Sequence, residues 1–480
     1  MSLFSETLSK YIDRSGVTLK LLAQTSGYDP TLLTKIRKGD RPARIKVKLD
    51  RLISALSLTP SEEAQLVKLW TIDQIGMDTY NSHIAVKELI ESFNRHIEIT
   101  PPSAVSAAPE KSTYKGKENV RYMLHRMLGG GIEDSGERIY IMAQPDDSMF
   151  SELLLAVCSA AVPITHIISM FPGSAGKQHQ IENLAYIRNL MPCIMSNPDY
   201  EINYYYDSLD ISENHYLLMP NLFITGDSAV LVSKNWDNAV ISREPEIVSF
   251  YRSRFDRQLR VTQPFNQPIP TLFHEVQHLV PMADAGIQKN PDECFYAIAR
   301  QPCITPYFEP EDAEYVSDEY ENKQALIDMF LNQYQPFLKK SNLVQFFCLS
   351  GVYDFLRDGV IWELGDCIIP LPIQLRIKLL KGLCEAETAG KHRFCLIRED
   401  ELKLMPDAAM ALYQSNYFTV HIRNEEDHIC SVNEGETASD LRSFFNYLPD
   451  SGLVYSEEES LRMLLEVLDE AAEGQSKVES

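Results

Sequence analysis

The sequence predicts a multi-domain protein: a small all-α domain at the N-terminus, then an α/β body in two subdomains. Three observations carry this. The chain has 480 residues, 44% hydrophobic and 24% charged, which is ordinary for globular protein and long enough for several cores. Its charge is split. Residues 1–60 hold eleven Lys or Arg against five Asp or Glu, whereas the whole chain carries −23 and the remaining 420 residues −29. Apolar residues recur at helical spacing near the start, and from about residue 118 strand-like and helix-like runs alternate. A net acidic chain argues against a general polyanion binder but allows one basic domain on an acidic body.

Residues 1–75 read as five short helices. The first, near Leu3 to Arg14, places Phe4, Leu8, Tyr11 and Ile12 on one face, with Gly16 as its stop. The last opens at Thr59-Pro60-Ser61-Glu62, where Thr59 and Glu62 form a capping box and Pro60 suits the first turn. Residues 76–117 read as a connecting helix (about 79 to 97) and a Pro/Ser/Ala-rich linker (99–117).

Residues 118–265 form a sensor-like α/β domain. "RIYIMAQP", "ITHIISMF" and "INYYYD" read as strands with helices between, and "NLFITGDSAVLVSK" as a hairpin folded at Gly226-Asp227. "EPEIVSFYRSRFDRQL" is a helix whose basic residues form a solvated face beside Phe255 and Leu259. On the strand, Tyr204 and Tyr206 share one face and Tyr205 takes the other. They can line a ligand pocket or simply pack the sheet. Residues 266–480 form a second α/β or α+β domain ending in an acidic amphipathic helix. No fixed-period repeat or long low-complexity tract is visible.

The uncharged run Leu153 to Phe171 is about long enough to cross a bilayer. Pro163 splits it and His166 dilutes it, so a buried helix followed by a buried strand is expected. The nine cysteines are scattered without a CxxC pair, and the N-terminus lacks a signal-peptide pattern. The expected setting is cytoplasmic, with no membrane partner.

The basic stretch "LLAQTSGYDPTLLTKIRKGDRP" carries the functional expectation. Thr18 can cap a helix holding Leu19, Leu22 and Ala23 on one face. Ala23 is small where two helices would cross, and Gly27, four residues on, tolerates the positive φ of a tight turn. Asp29 is then an N-cap and Pro30 the first residue of a second helix. That helix buries Leu32, Leu33 and Ile36 and exposes Thr31, Thr34, Lys35 and Lys38. This is a helix-turn-helix, whose second helix presents N-terminal side chains to base edges. Arg37, Arg41 and Arg44 fall where phosphates would lie.

On these residues, the first 65 or so positions resemble the lambda-repressor-like, Xre/Cro-type helix-turn-helix family. Ala23, Gly27, Leu33 and Ile36 stand at that motif's structural positions, and "IRKGDRP" is similar to its usual close. Leu19 stands where the family commonly has Gln, and Arg37 where it commonly has Glu. The resemblance implies sequence-specific binding of double-stranded DNA by a homodimer, with Thr31, Thr34 and Lys35 reading bases. Thr18, Arg37, Lys38, Arg41 and Arg44 complete the expected DNA-contacting set. The body would sense a small-molecule or peptide effector and regulate transcription. Neither a cofactor nor a catalytic residue is needed for this.

One motif points elsewhere. His274-Glu275-Val276-Gln277-His278 is HExxH. On a helix both histidines share a face and can hold Zn²⁺, while Glu275 acts as general base on bound water. A third ligand is needed. Glu314 has the ExxxD form of some zinc peptidases, and Glu293 lies nearer in sequence. The alternative expectation is therefore a zinc metallohydrolase fused to a DNA-binding domain. "FPGSAGKQ" falls short of a phosphate loop, because its glycines are too close and Gln178 replaces Ser or Thr. No HxK phosphodiesterase motif and no G-x-S-x-G elbow occurs.

Overall fold

The protein is described by a computed structural model covering residues 2–93, 111–133, 137–160, 162–207, 219–269, 277, 280–281, 292–318, 323–413, 417–423 and 427–478. It divides into two units, Met1–Ala85 and Val86–Ser480. An N-terminal helical region is followed by a mixed α/β body with two sheets.

The first unit holds α1 (Leu3–Ser15), α2 (Leu19–Ser26), α3 (Pro30–Lys38), α4 (Lys46–Ala55) and α5 (Pro60–Ile75). The division between units falls within α6 (Met77–Ser92). Sequence-local chemistry sets the helix ends. Thr18 accepts a hydrogen bond from the Leu21 amide at 3.4 Å, and Thr59 and Glu62 close a reciprocal capping box. Phe4, Leu8, Ile12, Leu22, Leu33, Ile36, Leu49, Leu52, Leu66 and Trp70 meet in one core. The Trp70 indole N–H donates to the Ala43 carbonyl, which ties α5 to the loop after α3.

The body begins with β1 (Thr113–Lys115), α7 (Lys117–Glu133), β2 (Ile139–Met142), α8 (Ser148–Cys158), β3 (Ile164–Met170), α9 (Lys177–Ser196) and β4 (Tyr200–Tyr206). It continues through β5 (Asn221–Ile224), β6 (Ala229–Val232), β7 (Asn238–Ser242), α10 (Pro245–Leu259) and β8 (Gln263–Pro264). The apolar run at 153–171 is therefore a buried helix end followed by a buried strand. Among the described residues no helix is long and apolar enough to cross a membrane. Thr113–Lys115, expected as linker, is instead a strand. It pairs antiparallel with β7, a partner more than a hundred residues away that no local pattern announces.

The second part contains β9 (Asn266–Ile269), β10 (Cys294–Ala299), α11 (Lys323–Met329), α12 (Gln335–Lys340), β11 (Asn342–Phe347), α13 (Leu349–Asp358), α14 (Ile373–Thr388) and β12 (Arg393–Leu396). Next come β13 (Ala408–Leu412), β14 (Phe418–Arg423), β15 (Asp427–Val432), α15 (Gly435–Ser451) and α16 (Glu457–Val478).

The two sheets share one plan. In the first, ordered β1-β7-β6-β5-β2-β3-β4-β8, strands β2, β3 and β4 are parallel. The antiparallel meander β5–β7 adds to the other side of β2, and β1 closes on β7. In the second, β10, β11 and β12 are parallel, β13–β15 is the meander on β10, and β9 closes on β15. Even β8, which pairs with β4 after α10, has a counterpart in the bridge between Val454, after α15, and Ile397. The body is thus a tandem repeat in strand order, although no fixed period is visible in its sequence. Its one visible sequence trace is Leu218-Met219-Pro220 before β5 and Leu404-Met405-Pro406 before β13. Topology repeats without a period because each strand needs only apolar alternation, which many sequences satisfy.

The repeats meet through polar groups. Glu434, fully buried at the start of α15, accepts from the Glu436 and Thr437 amides at 3.1 and 2.8 Å and from the hydroxyls of Thr437 and Tyr206. Lys177 of α9 lies 3.2 Å from buried Asp440, and the Tyr204 hydroxyl donates to the Asn433 carbonyl at 3.2 Å. Four donors on one carboxylate offset its loss of hydration, so Glu434 fixes the corner at which the second repeat abuts β4.

Candidate nucleic-acid interface

Gly27 ends α2 with φ +73°, and its amide donates to the Ala23 carbonyl at 3.0 Å. An L-residue with a β-carbon is disfavoured at that φ, so glycine makes the short Gly27–Asp29 connection possible. Asp29 then accepts from the amides of Thr31 (2.9 Å) and Leu32 (3.1 Å), and Pro30 occupies the first turn. Leu33 and Ile36 are both fully buried against the core. Their spacing leaves Thr31, Lys35 and Lys38 on the opposite, exposed face of α3.

Leu32 departs from expectation. It is 38% exposed and lies beside Thr31 and Lys35 instead of in the core. The buried stripe of a nine-residue helix is only wide enough for Leu33 and Ile36, and the periodicity could be phased either way. Thr34 is half-buried, and its hydroxyl donates to the Pro30 carbonyl at 2.8 Å. Thr18 is exposed at the start of α2, while Arg41 and Arg44 are exposed in the connection between α3 and α4.

Arg37, expected at a phosphate, is held by α1 in the chain on its own. Its Nη2 lies 2.6 and 2.9 Å from the two Asp13 carboxylate oxygens, and its Nε donates to the Ser9 hydroxyl at 3.0 Å. It joins α3 to α1, and sequence could not foresee this because Asp13 lies a helix and a turn away. Asp13 is well exposed, so the pair contributes at most about 1 kcal/mol. Arg37→Ala should lower the stability of the first unit by no more than that, read from its urea midpoint. It should leave the salt dependence of any DNA binding unchanged, in contrast to Lys38→Ala.

Three more exposed apolar side chains went unremarked in the sequence: Leu21 on α2, with Ile45 and Val47 at the start of α4. Lys46 and Lys48 are partly engaged, Lys46 by Asp50 and Lys48 over the Tyr28 ring at 5.6 Å. Of the exposed cations of this region, Lys35, Lys38, Arg41 and Arg44 lie on α3 and the loop after it, Lys20 on α2 and Arg51 on α4.

Of the alternative zinc set, His274, Glu275 and His278 lie outside the described residues. Glu314 is exposed on a short 3₁₀ turn, Pro310–Tyr315. Glu293 is held by Arg442 at 2.8 Å, and Asp318 by Lys323 at 2.6 Å. Glu293 and Asp318 therefore each have a cation partner.

No family model matches the chain, and no curated protein matches it. Among solved structures it is similar to TrmBL2, an archaeal chromatin protein described as showing a novel mode of DNA binding. That match has 10% identity and TM-score 0.23, covering 55% of this chain and 94% of that one. It is also similar to phosphatidylserine synthase of Haemophilus influenzae, at 10% identity and TM-score 0.24 over 76% of this chain and 93% of that one. Polyphosphate kinase of Porphyromonas gingivalis matches at 10% identity and TM-score 0.22, over 78% and 59%. Superpositions this loose decide neither fold nor function.

Proposed function

We propose that the chain is a sequence-specific DNA-binding transcriptional regulator. Its N-terminal helices form a helix-turn-helix of the Xre/Cro type, and its α/β body senses an effector. One observation carries the reading. A capped helix, α3, buries Leu33 and Ile36, presents Thr31, Leu32, Lys35 and Lys38 together on its exposed face, and is followed by exposed Arg41 and Arg44. Such a face combines hydrogen-bonding groups for base edges, an apolar group for a thymine methyl and cations for phosphates. Modules of this kind bind as dimers to two half-sites about one helical turn apart, so a palindromic operator is expected. Sequencing the DNA that co-purifies with the full chain tests this. Enrichment of a palindromic site supports it, and DNA no richer in any site than sheared genomic input sinks it.

The second reading, a zinc metallohydrolase fused to a DNA-binding domain, rests on the His274–His278 motif alone. It requires near-stoichiometric zinc in the purified chain, lost in His274→Ala. Zinc below about a tenth of an equivalent after purification with zinc-supplemented buffer would dismiss it.

A further inference from the structure

The tandem repeat supplies an internal comparison. The helix that follows each meander, α10 in the first repeat and α15 in the second, covers the same face of its sheet. Counted from the last residue of the preceding strand, Ser242 or Val432, Phe255 and Phe445 stand at the same position, and both are buried. In α15 the neighbouring inward positions are Leu441, Phe444 and Leu448, all buried. The matching positions of α10 are Tyr251, Arg254 and Gln258, and Phe255 is its one buried residue. Where the second repeat closes its sheet face with three apolar side chains, the first has a phenol, a guanidinium and an amide.

A cavity of about 380 Å³ lies beneath these three side chains. It sits outside the carboxyl ends of the parallel strands β2, β3 and β4, beside the start of β5. Open α/β sheets form binding crevices at such a point. Tyr205, the tyrosine of "INYYYD" that faces away from its two neighbours, lines one wall. Among the described lining residues Lys234 and Arg254 are cations and Asp146 a carboxylate. Gln144, Ser169 and Asn221 add hydrogen-bonding groups.

We propose that this cavity is a binding site for a small organic anion with a flat ring, and that it is the effector site of the body. The ring lies against Tyr205 and Tyr251, filling the space that Leu441 and Phe444 close in the second repeat. The anionic group meets Arg254 and Lys234, and the amides fix its orientation. Arg254 and Lys234 bring positive charge to this cavity on a chain of net charge −23, which favours an anion from solution. The effector role rests on the sensing half of the proposed function. The site itself does not depend on DNA binding.

The test uses 1-anilinonaphthalene-8-sulfonate, a flat aromatic anion whose fluorescence rises on transfer from water, titrated into the full chain. One saturable site per chain is expected. Arg254→Phe with Gln258→Leu installs the second repeat's residues and should weaken binding at least about tenfold, while Arg254→Lys, which keeps the charge, should lose less. Urea midpoints of the variants equal to or above wild type certify the fold. Binding within twofold of wild type in the double variant, or several equivalent sites per chain, overturns the assignment. DNA binding is followed separately by gel shift. Loss of the dye site with DNA binding intact, or of DNA binding with the dye site intact, tells which of the two readings has failed.

Discussion

Replacing Lys38, Arg41 and Arg44 together by alanine should flatten the dependence of log K on log salt by about 2.7, since each phosphate contact contributes about 0.9. The loss of affinity should be the same on operator and on random DNA, because phosphates carry no sequence information. Thr31→Ala and Lys35→Ala should behave differently. Each should cost about 1–3 kcal/mol on the operator, relax preference at one or two base pairs, and cost little on random DNA. Leu32→Ala, a position the structure adds to the exposed face, should weaken preference for thymine at one position. Arg37→Ala serves as the internal control, since its guanidinium is engaged by Asp13 and Ser9. Gel shifts at several salt concentrations read all of these. A triple variant with the wild-type salt slope would remove the cationic face from the mechanism.

The α/β body should lose roughly 3 kcal/mol to a single side chain, His166, as pH falls from its ordinary titration range to about 4. His166 is fully buried on β3. Its Nε2 lies 2.9 Å from the Ala143 carbonyl and its Nδ1 2.7 Å from the Tyr200 hydroxyl. A carbonyl can only accept, so Nε2 carries the proton and Nδ1 accepts from Tyr200. Burial holds this neutral ring's pKa down at about 4, although the Ala143 hydrogen bond pulls the other way. A depressed pKa means that the contribution is full above the unfolded value of 6.5 and is lost as pH falls through 4.

Glu387 opposes it. Burial, then the charge of Glu457, lifts its carboxyl to about 7, so its contribution is full below 4.5 and lost as pH rises through 7. Its side chain keeps some contact with water, which screens the effect and makes it the smaller of the two. Between about pH 4.5 and 6.5 the two partly cancel. His166→Gln, whose amide can still donate to Ala143 and accept from Tyr200, should reduce the stability the body loses between about pH 7.5 and about pH 5. Glu387→Gln should do the reverse. Urea unfolding followed by circular dichroism at the two pH values measures both. Equal pH dependence in wild type and both variants would mean that neither group titrates differently on folding.

Much of this was legible in the sequence because it is local. Asp29-Pro30 starts a helix, Gly27 stops one, Thr59 and Glu62 cap each other, Pro163 separates α8 from β3, and Gly226-Asp227 turns a hairpin. Each depends on side chains within a few residues of the backbone they satisfy, so the chemistry is written in adjacent letters. The exposed cations of α3 belong to the same class, for charge beside a fully buried Leu33 and Ile36 has one face left to occupy.

Other features needed tertiary structure. β1 is a strand because β7 offers it an edge, and Arg37 is a brace because Asp13 and Ser9 lie beside it. Leu32 is exposed because the core beneath α3 takes only two of three adjacent apolar positions. The repeat is plain in strand order and nearly silent in sequence, since a sheet constrains which positions are apolar but not which residues fill them. The cavity beneath α10 follows from the same rule. Arg254 reads as part of a solvated basic face until the second repeat, where the matching position is the buried Phe444, and the cavity it lines give it another role. Local sequence thus set where the capped helices and the hairpin turn begin and end, while contacts between distant segments decided which edge β1 could join, which faces were buried, which charges were already partnered, and where a ligand could enter.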